Sequence, residues 1–342
     1  MDTGAGLGAR HVAMGGTGAA FADDVYAAVY NPAGLAAVSS FELSVSRQLD
    51  ARLDVVSFLG AAWRLPARAT PGWDLTVATV YYPRIHARAS GAFAETDFES
   101  IFLRYLLPGI SGTFDGQIDS KTRAWRLAVG GAPRGQREWS VGGYVERVDC
   151  RSDFCGVHAT SNGYTVSSTG AKATAFGLGV RWQPQPGWKL GASINDVRTR
   201  LQVSTVTTDA LGTRVRPWSA SFPRKVSLEV ARELGGGAQW AFGYERMNGQ
   251  YGRSQLDLQV LRAGYERRTG AWTWRAGALA PLRIASTETG TLKPPVPVAP
   301  TLGVGWRSGA LEAGAALYGH PVMSMHRDRP SPAVDLSLGW RF

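Results

Sequence analysis

The chain ends Ala333-Val334-Asp335-Leu336-Ser337-Leu338-Gly339-Trp340-Arg341-Phe342. Val334, Leu336, Leu338, Trp340 and Phe342 fall on one face, and Asp335, Ser337, Gly339 and Arg341 on the other. A period of two makes this a β-strand with one apolar and one polar side. A strand of a soluble sandwich alternates too, but it rarely stops on a free aromatic carboxy-terminus. If the strand belongs to a membrane barrel, the others should come in hairpins of one consistent polarity.

The 342 residues include 42 Gly, 12 Trp and 11 Tyr, and only 19% are charged. Two or three soluble domains are the default at this length. No run of about 18 apolar residues occurs, which excludes helical membrane spans. Mean hydropathy is slightly negative, an average that a barrel also gives, because lipid-facing and lumen-facing residues alternate. The net charge of +10 is carried by basic residues scattered singly, with Arg far outnumbering Lys. A nucleic-acid binder would cluster them on one motif with interleaved aromatics, so no nucleic-acid partner is expected. Arginines inside a polar lumen, or near anionic headgroups at its rims, fit the distribution.

Fourteen strands are expected, at about 41–48, 53–63, 73–84, 117–131, 138–149, 172–182, 188–198, 222–232, 238–247, 255–266, 271–281, 298–307, 310–319 and 333–342. Trp240, Phe242 and Tyr244 oppose Gln239, Ala241, Gly243 and Glu245; Phe176, Leu178, Val180 and Trp182 oppose Gly177, Gly179 and Arg181. Between Val260 and Leu261 the phase shifts, the mark of a bulge. The links sort by parity. Those at 65–72, 132–137, 183–187, 233–237, 267–270 and 308–309 are short; those at 85–116, 150–171, 199–221, 248–254, 282–297 and 320–332 are mostly longer. Short turns at one end and long loops at the other is the asymmetry of outer-membrane barrels. Trp63, Trp73, Trp139, Trp182, Trp188, Trp272, Trp306 and Trp340 stand near strand ends, where amphipathic rings form a girdle at headgroup depth. Any one of them alone reads equally well as core.

Residues 1–40 break the alternation, and short helices are expected at about 10–21 and 23–29. In order come Gly6-Leu7-Gly8-Ala9-Arg10, Met14-Gly15-Gly16-Thr17-Gly18, Ala22-Asp23-Asp24 and Asn31-Pro32-Ala33-Gly34-Leu35, immediately before a first strand. This set resembles the start of the FadL-type outer-membrane transporter superfamily, which includes PorV/PorQ-like barrel proteins of secretion and envelope machines. The closing Phe342 likewise resembles the last residue of bacterial outer-membrane barrels, an assembly signal there. The resemblance implies an all-β fold: a 14-stranded antiparallel transmembrane β-barrel over residues 41–342, with residues 1–40 folded into the lumen as a hatch. It also implies a monomer, integral to the outer membrane of a Gram-negative bacterium.

The physics agrees, since a barrel of that size is too wide for its own side chains to fill. Small inward positions such as Gly177, Gly179, Ser227, Ala241, Gly243 and Gly277 leave still more room. Asn31-Pro32, with Ala33, suits a tight turn against the wall. Asp23 and Asp24 either anchor the hatch to lumen arginines or cap a helix. The opening Met1-Asp2-Thr3 lacks the basic start and apolar core of a secretory signal, so the numbering is expected to begin at a processed or engineered start.

Cys150 and Cys155 read as a local disulfide in an extracellular loop, which implies an oxidising compartment; a metal site would need more soft ligands than His158. His11, His86, His158, His320 and His326 are isolated, so no acid–base or nucleophilic arrangement is expected and the chain is not read as an enzyme. The early Gly-x-Gly pairs follow no strand, so no dinucleotide and no other cofactor is expected.

Two features bear on passage. Phe98, Ile101, Phe102, Tyr105 and Leu106 share one helical face, either a ligand-collecting groove for a hydrophobic molecule or a surface packed on the rim. Pro83 cannot donate to a ladder, and a closed barrel has no spare edge. The resemblance implies a disturbed third strand used as a lateral opening into lipid; the other reading is that Pro83 ends the strand at the rim. The function implied is passive uptake of a hydrophobic small molecule, a fatty acid or lipid-like, through the hatch. The alternative is a PorV/PorQ-like structural barrel that docks protein partners in a secretion, motility or envelope-assembly machine.

Overall fold

A computed structural model describes residues 6–49, 54–93, 114–136, 138–150, 159–161, 164–168, 171–197, 199, 201–209, 211–251, 254–287, 290–292, 297–319 and 331–342. Fourteen antiparallel strands form a closed barrel. They are β1 (Phe41–Leu49), β2 (Asp54–Arg64), β3 (Trp73–Phe93), β4 (Phe114–Pro133), β5 (Trp139–Cys150), β6 (Ala171–Trp182) and β7 (Trp188–Val197). There follow β8 (Arg224–Gly235), β9 (Ala238–Tyr251), β10 (Ser254–Thr269), β11 (Trp272–Ser286), β12 (Ala299–Ser308), β13 (Leu311–Gly319) and β14 (Pro332–Arg341). Each pairs with the next, and β14 closes on β1 from Glu42↔Arg341 to Leu49↔Val334.

The burial pattern is inside out for a water-soluble protein. Along β1, Phe41, Leu43 and Val45 are exposed while Glu42, Ser44 and Ser46 are buried. The pattern recurs on β9, with Phe242 outward and Gln239, Ala241 and Glu245 inward, and on β14, with Leu336, Leu338 and Trp340 outward and Asp335 inward. In water, each such Leu would forgo roughly 1.5–3 kcal/mol of burial. In lipid the same faces are satisfied, and closure pairs the ladder groups that hydrocarbon cannot solvate.

The short links, 65–72, 134–138, 183–187, 236–237, 270–271 and 309–310, all lie at one end. The eight tryptophans noted in the sequence gather at that rim alone, where Trp139 stacks on Trp182 at 5.1 Å. The other end carries the long links, except at 50–53 and at 252–253, where β9 and β10 run on to Tyr251 and Ser254. Strands β3 and β4 also overrun the expected limits at 84 and 117, pairing with each other as far as Phe93↔Phe114. A ladder that projects beyond lipid needs no apolar face, so alternation does not report it. Pro83 therefore lies inside β3 and does not end it. The expected phase break falls one residue early, between Gln259 and Val260, and its extra residue is Leu282 on β11.

Residues 6–40 fill the short-turn half of the lumen. The two expected helices shrink to α1 (Ala9–Ala13) and α2 (Ala27–Tyr30), followed by a 3-10 turn over Pro32–Ala37. The first stops at Met14 because Gly15 and Gly16 take φ of 69° and 77°, a conformation glycine adopts freely. The wall admits this plug through glycine. A Cβ on Gly142 would stand 2.4 Å from the Pro32 carbonyl carbon, and one on Gly191 2.1 Å from the Ala19 oxygen. The small inward residues thus hold the plug's backbone directly against the wall.

Candidate functional site

The plug is stitched to the wall by polar groups that alternation turns inward. Glu229 of β8 accepts the backbone N–H groups of Gly18, Ala19 and Ala20 at 2.8, 3.1 and 3.0 Å. Arg10 forks onto Glu266 of β10 at 3.2 and 2.9 Å and reaches Asp23 at 2.6 Å. Asp24 accepts the Tyr26 N–H and faces the His11 ring at 3.4 Å, so it turns the chain into α2 and pairs at once. Burial pushes the Asp24 carboxyl up, but the His11 ring and Arg10 outweigh it and hold it below the ordinary carboxylate range. For Asp23 burial is likewise outweighed, by Arg10 and Arg341. Burial also lifts the Tyr30 phenol, which stays protonated and donates to the Leu7 carbonyl at 3.0 Å. The Asn31 amide donates to the Ala19 and Val180 carbonyls at 2.7 and 3.0 Å, and its oxygen accepts the Ala33 N–H at 3.1 Å.

Above the plug the wall is interrupted. The β2–β3 ladder runs from Arg64↔Thr76 only to Leu59↔Tyr81, whereas β2 stays paired with β1 as far as Asp54. Two residues beyond Tyr81 comes Pro83, and β3 then bulges, with Pro83↔Arg123 followed by Ile85↔Thr122. Ser57 is a second extra residue, on β2, and it leaves Phe58 turned fully inward onto Tyr26 at 4.1 Å. Phe58, Val80, Tyr82 and Tyr26 belong to one apolar cluster that runs from the plug to this break.

Beside it lies a buried charge cluster. Arg84 donates to Asp196 through both terminal nitrogens at 2.6 Å and to Glu146 at 2.9 Å. Arg126 donates to Glu146 at 2.7 Å, to the Tyr82 hydroxyl at 2.7 Å and to the plug carbonyl of Ala28 at 2.9 Å. The Tyr82 hydroxyl donates to Glu146 at 2.6 Å. Two guanidinium groups thus meet two carboxylates inside the barrel, all four carried by wall strands. At the short-turn end, a charged basin of about 320 Å³ is lined by Arg10, Asp23, Lys189, Glu233, Glu266 and Arg341 among others. A crease of about 460 Å³ between Trp139, Trp182, Leu228 and Phe242 lies on the outer face of the barrel and is no part of the lumen. Among the described residues, no group of His, Cys, Asp and Glu is arranged to hold a metal ion.

Of the residues singled out in the sequence, Asp23, Asp24, Asn31, Pro32 and Ala33 come together in the plug, and Pro83 stands at the wall break. Phe342 sits on the seam, donating its N–H to the Phe41 carbonyl at 2.9 Å. Cys150 ends β5, while Cys155 and the stretch holding Phe98, Ile101, Phe102, Tyr105 and Leu106 lie outside the described residues. Sequence reasoning missed Arg84, Arg126, Glu146, Asp196, Glu229 and Glu266. The inward phase of their strands marks Arg126, Glu146, Glu229 and Glu266 as lumen groups but cannot name their partners, whereas Asp196 stands out of phase with Gly191, Ser193 and Asn195 and is turned inward only by a bulge.

No protein-family model and no curated protein matches the chain by sequence. Solved structures match its fold from end to end. The toluene transporter TbuX of Ralstonia pickettii gives a TM-score of 0.60 at 15% identity, over 100% of each chain. The P. putida toluene transporter TodX gives 0.60 at 13% identity over 99% of each. A FadL homologue of Pseudomonas aeruginosa gives 0.57 at 12% identity, over 99% of this chain and 100% of that one. The shared feature at these identities is the fold, that of FadL-type barrels.

Proposed function

We propose that this barrel is an outer-membrane passage for small hydrophobic molecules, which leave its lumen sideways between β2 and β3. The end of the β2–β3 ladder at Leu59↔Tyr81 carries the reading. Leu59 lies about 13 Å along the strand from the rim residue Trp63, at ~3.3 Å per residue. At a tilt near 40° that is about 10 Å of height, well inside an apolar band about 25 Å tall. At that depth each unsatisfied N–H or C=O costs several kcal/mol, so an open seam there needs a purpose and a cause. The apolar surface of Phe58, Val80, Tyr82 and Tyr26 leads to it. A hydrophobic molecule moving from this mouth into lipid needs no energy source, because each Å² of apolar surface removed from water contributes about 25 cal/mol.

The short-turn end with its plug faces the periplasm on this reading. The plug, residues 1–40, is the hatch, and Cys150 and Cys155 form a disulfide on the outer side. The class of cargo follows the toluene transporters of the same fold; a fatty acid or other lipid-like molecule is the elongated member of that class. The docking alternative draws on the hairpin 201–220 at the long-loop end, where Leu211 and Val215 stand exposed.

Cells carrying the protein should take up radiolabelled toluene or oleate faster than cells without it. Pro83→Val, which restores a backbone donor to β3, should slow that uptake while the barrel stays folded. Equal uptake with and without the protein overturns the passage, and a protein partner copurifying at fixed stoichiometry would then favour docking.

A further inference from the structure

Two wall bulges meet across the lumen. Arg84 is the extra residue of the β3 bulge. On β7, Ile194↔Leu178 is followed by Val197↔Phe176, so Asn195 and Asp196 oppose only Gly177. Asp196 takes φ 60°, as the non-glycine residue with positive φ among those described. Asp accepts this conformation better than most residues, yet it is strained. The displaced residue of each bulge is the other's ion-pair partner, 112 positions apart in the chain.

The geometry of a round barrel makes this informative. Strands β3 and β7 are four places apart on the wall. With strands 4.8 Å apart and tilted about 40°, a fourteen-stranded barrel would hold them about 22 Å apart across the chord. Extended Arg and Asp side chains, at ~1.5 Å per bond, can join only backbones within about 13 Å. The ion pair therefore draws the two bulges inward. The pull on β3 acts at Arg84, three residues beyond the last rung it shares with β2. Tyr82, bonded to the same Glu146, adds to it. Buried ion pairs of this kind rarely add stability over a well-packed apolar substitute, so a positional role explains the cluster better than a stabilising one. Phe222 caps the Arg84 guanidinium at 4.2 Å, and Arg126 ties the same cluster to the plug at Ala28.

We propose that Arg84 is the positioning residue of the opening: its ion pairs with Asp196 and Glu146 pull β3 into the lumen and hold it away from β2 above Leu59↔Tyr81. That the gap passes cargo rests on the function proposed above; that the strut makes the gap does not. The test replaces the strut with an apolar pair, Arg84→Met with Asp196→Leu, which leaves Glu146 to Arg126. Heat-modifiable gel mobility confirms that the variant is a folded barrel. Amide hydrogen exchange of residues 54–58, in nanodiscs, should slow at least tenfold as β2 re-pairs with β3, and toluene uptake should fall at least tenfold. Arg84→Lys, which keeps the charge opposite Asp196, should leave the exchange fast. Unchanged exchange in the folded double variant overturns the proposal, as does an Arg84→Lys variant that closes like it. Slowed exchange with unchanged uptake upholds the strut and overturns the sideways route instead.

Discussion

A Cβ on Gly179 would lie 1.9 Å from the Asn31 side-chain oxygen, so one hydrogen atom in place of a methyl decides whether the plug seats. The local half of this was legible. Asn before Pro makes a turn by bonding its own downstream backbone, as the Ala33 N–H does here. The long-range half was not, because the Ala19 and Val180 carbonyls lie 12 and 149 positions away. Asn31→Ala removes three hydrogen bonds at roughly 1 kcal/mol net each and should loosen the plug by about 2–3 kcal/mol. Exchange protection of residues 6–40 should fall while that of the strands holds. The acid dependence follows from Asp23 and Asp24. Their carboxyls sit below the ordinary range in the folded protein, so the attachment they give is complete above the unfolded value near 4 and is lost as pH falls through the folded one. Asp23 is 38% exposed, so water screens part of its share. Single-channel conductance should be flat between about pH 5 and 8 and rise below about pH 4. A rise between 5 and 8 would point to other groups.

Strands that contact lipid were readable because each must alternate: all fourteen expected segments coincide with barrel strands to within a few residues, apart from the overruns. What alternation cannot report is pairing that lipid does not enforce, and it missed the β3–β4 extension to Phe93 and Phe114 for that reason. The helices were overextended because Ala-rich sequence favours helix locally, while the positive φ of Gly15 and Gly16 serves contact with the wall. Pro83 marked the disturbance of β3, but the bulge at Asp196 was invisible, because its partner Arg84 lies 112 positions away. At the seam the expected signal residue lies on the closing element itself. Phe342 donates to Phe41, accepts from the Ser40 hydroxyl, and stacks its ring on Trp340 at 5.8 Å. Deleting Phe342 removes the last rung between β14 and β1, where closure begins. The yield of heat-modifiable barrel in outer membranes should drop several-fold, with the refolded protein in detergent little changed; equal yields would mean that Phe342 carries no assembly information.

For the whole molecule, the proposed passage depends on the plug, which on that reading separates a gated route from an open pore. With strands 4.8 Å apart and tilted about 40°, the fourteen-stranded wall has a radius of about 14 Å at the backbone. Side chains fill only part of that depth, and opposite the plug many are glycines: Gly142, Gly179, Gly191, Gly264, Gly277 and Gly303 each touch plug atoms. Removing residues 1–40 would therefore leave a bore wide enough for hydrated ions, lined by the charges that now hold the plug, Glu229, Glu266, Arg126 and Arg262 among them. The wall itself should survive, since every strand keeps its two ladder partners without the plug. Planar-bilayer conductance should rise from near zero to that of an open channel. Because the exposed charges are of both signs, ion selectivity should be weak. A truncated barrel that folds yet stays closed would mean that another segment seals the lumen, and the plug would then be a brace of the wall instead of its gate.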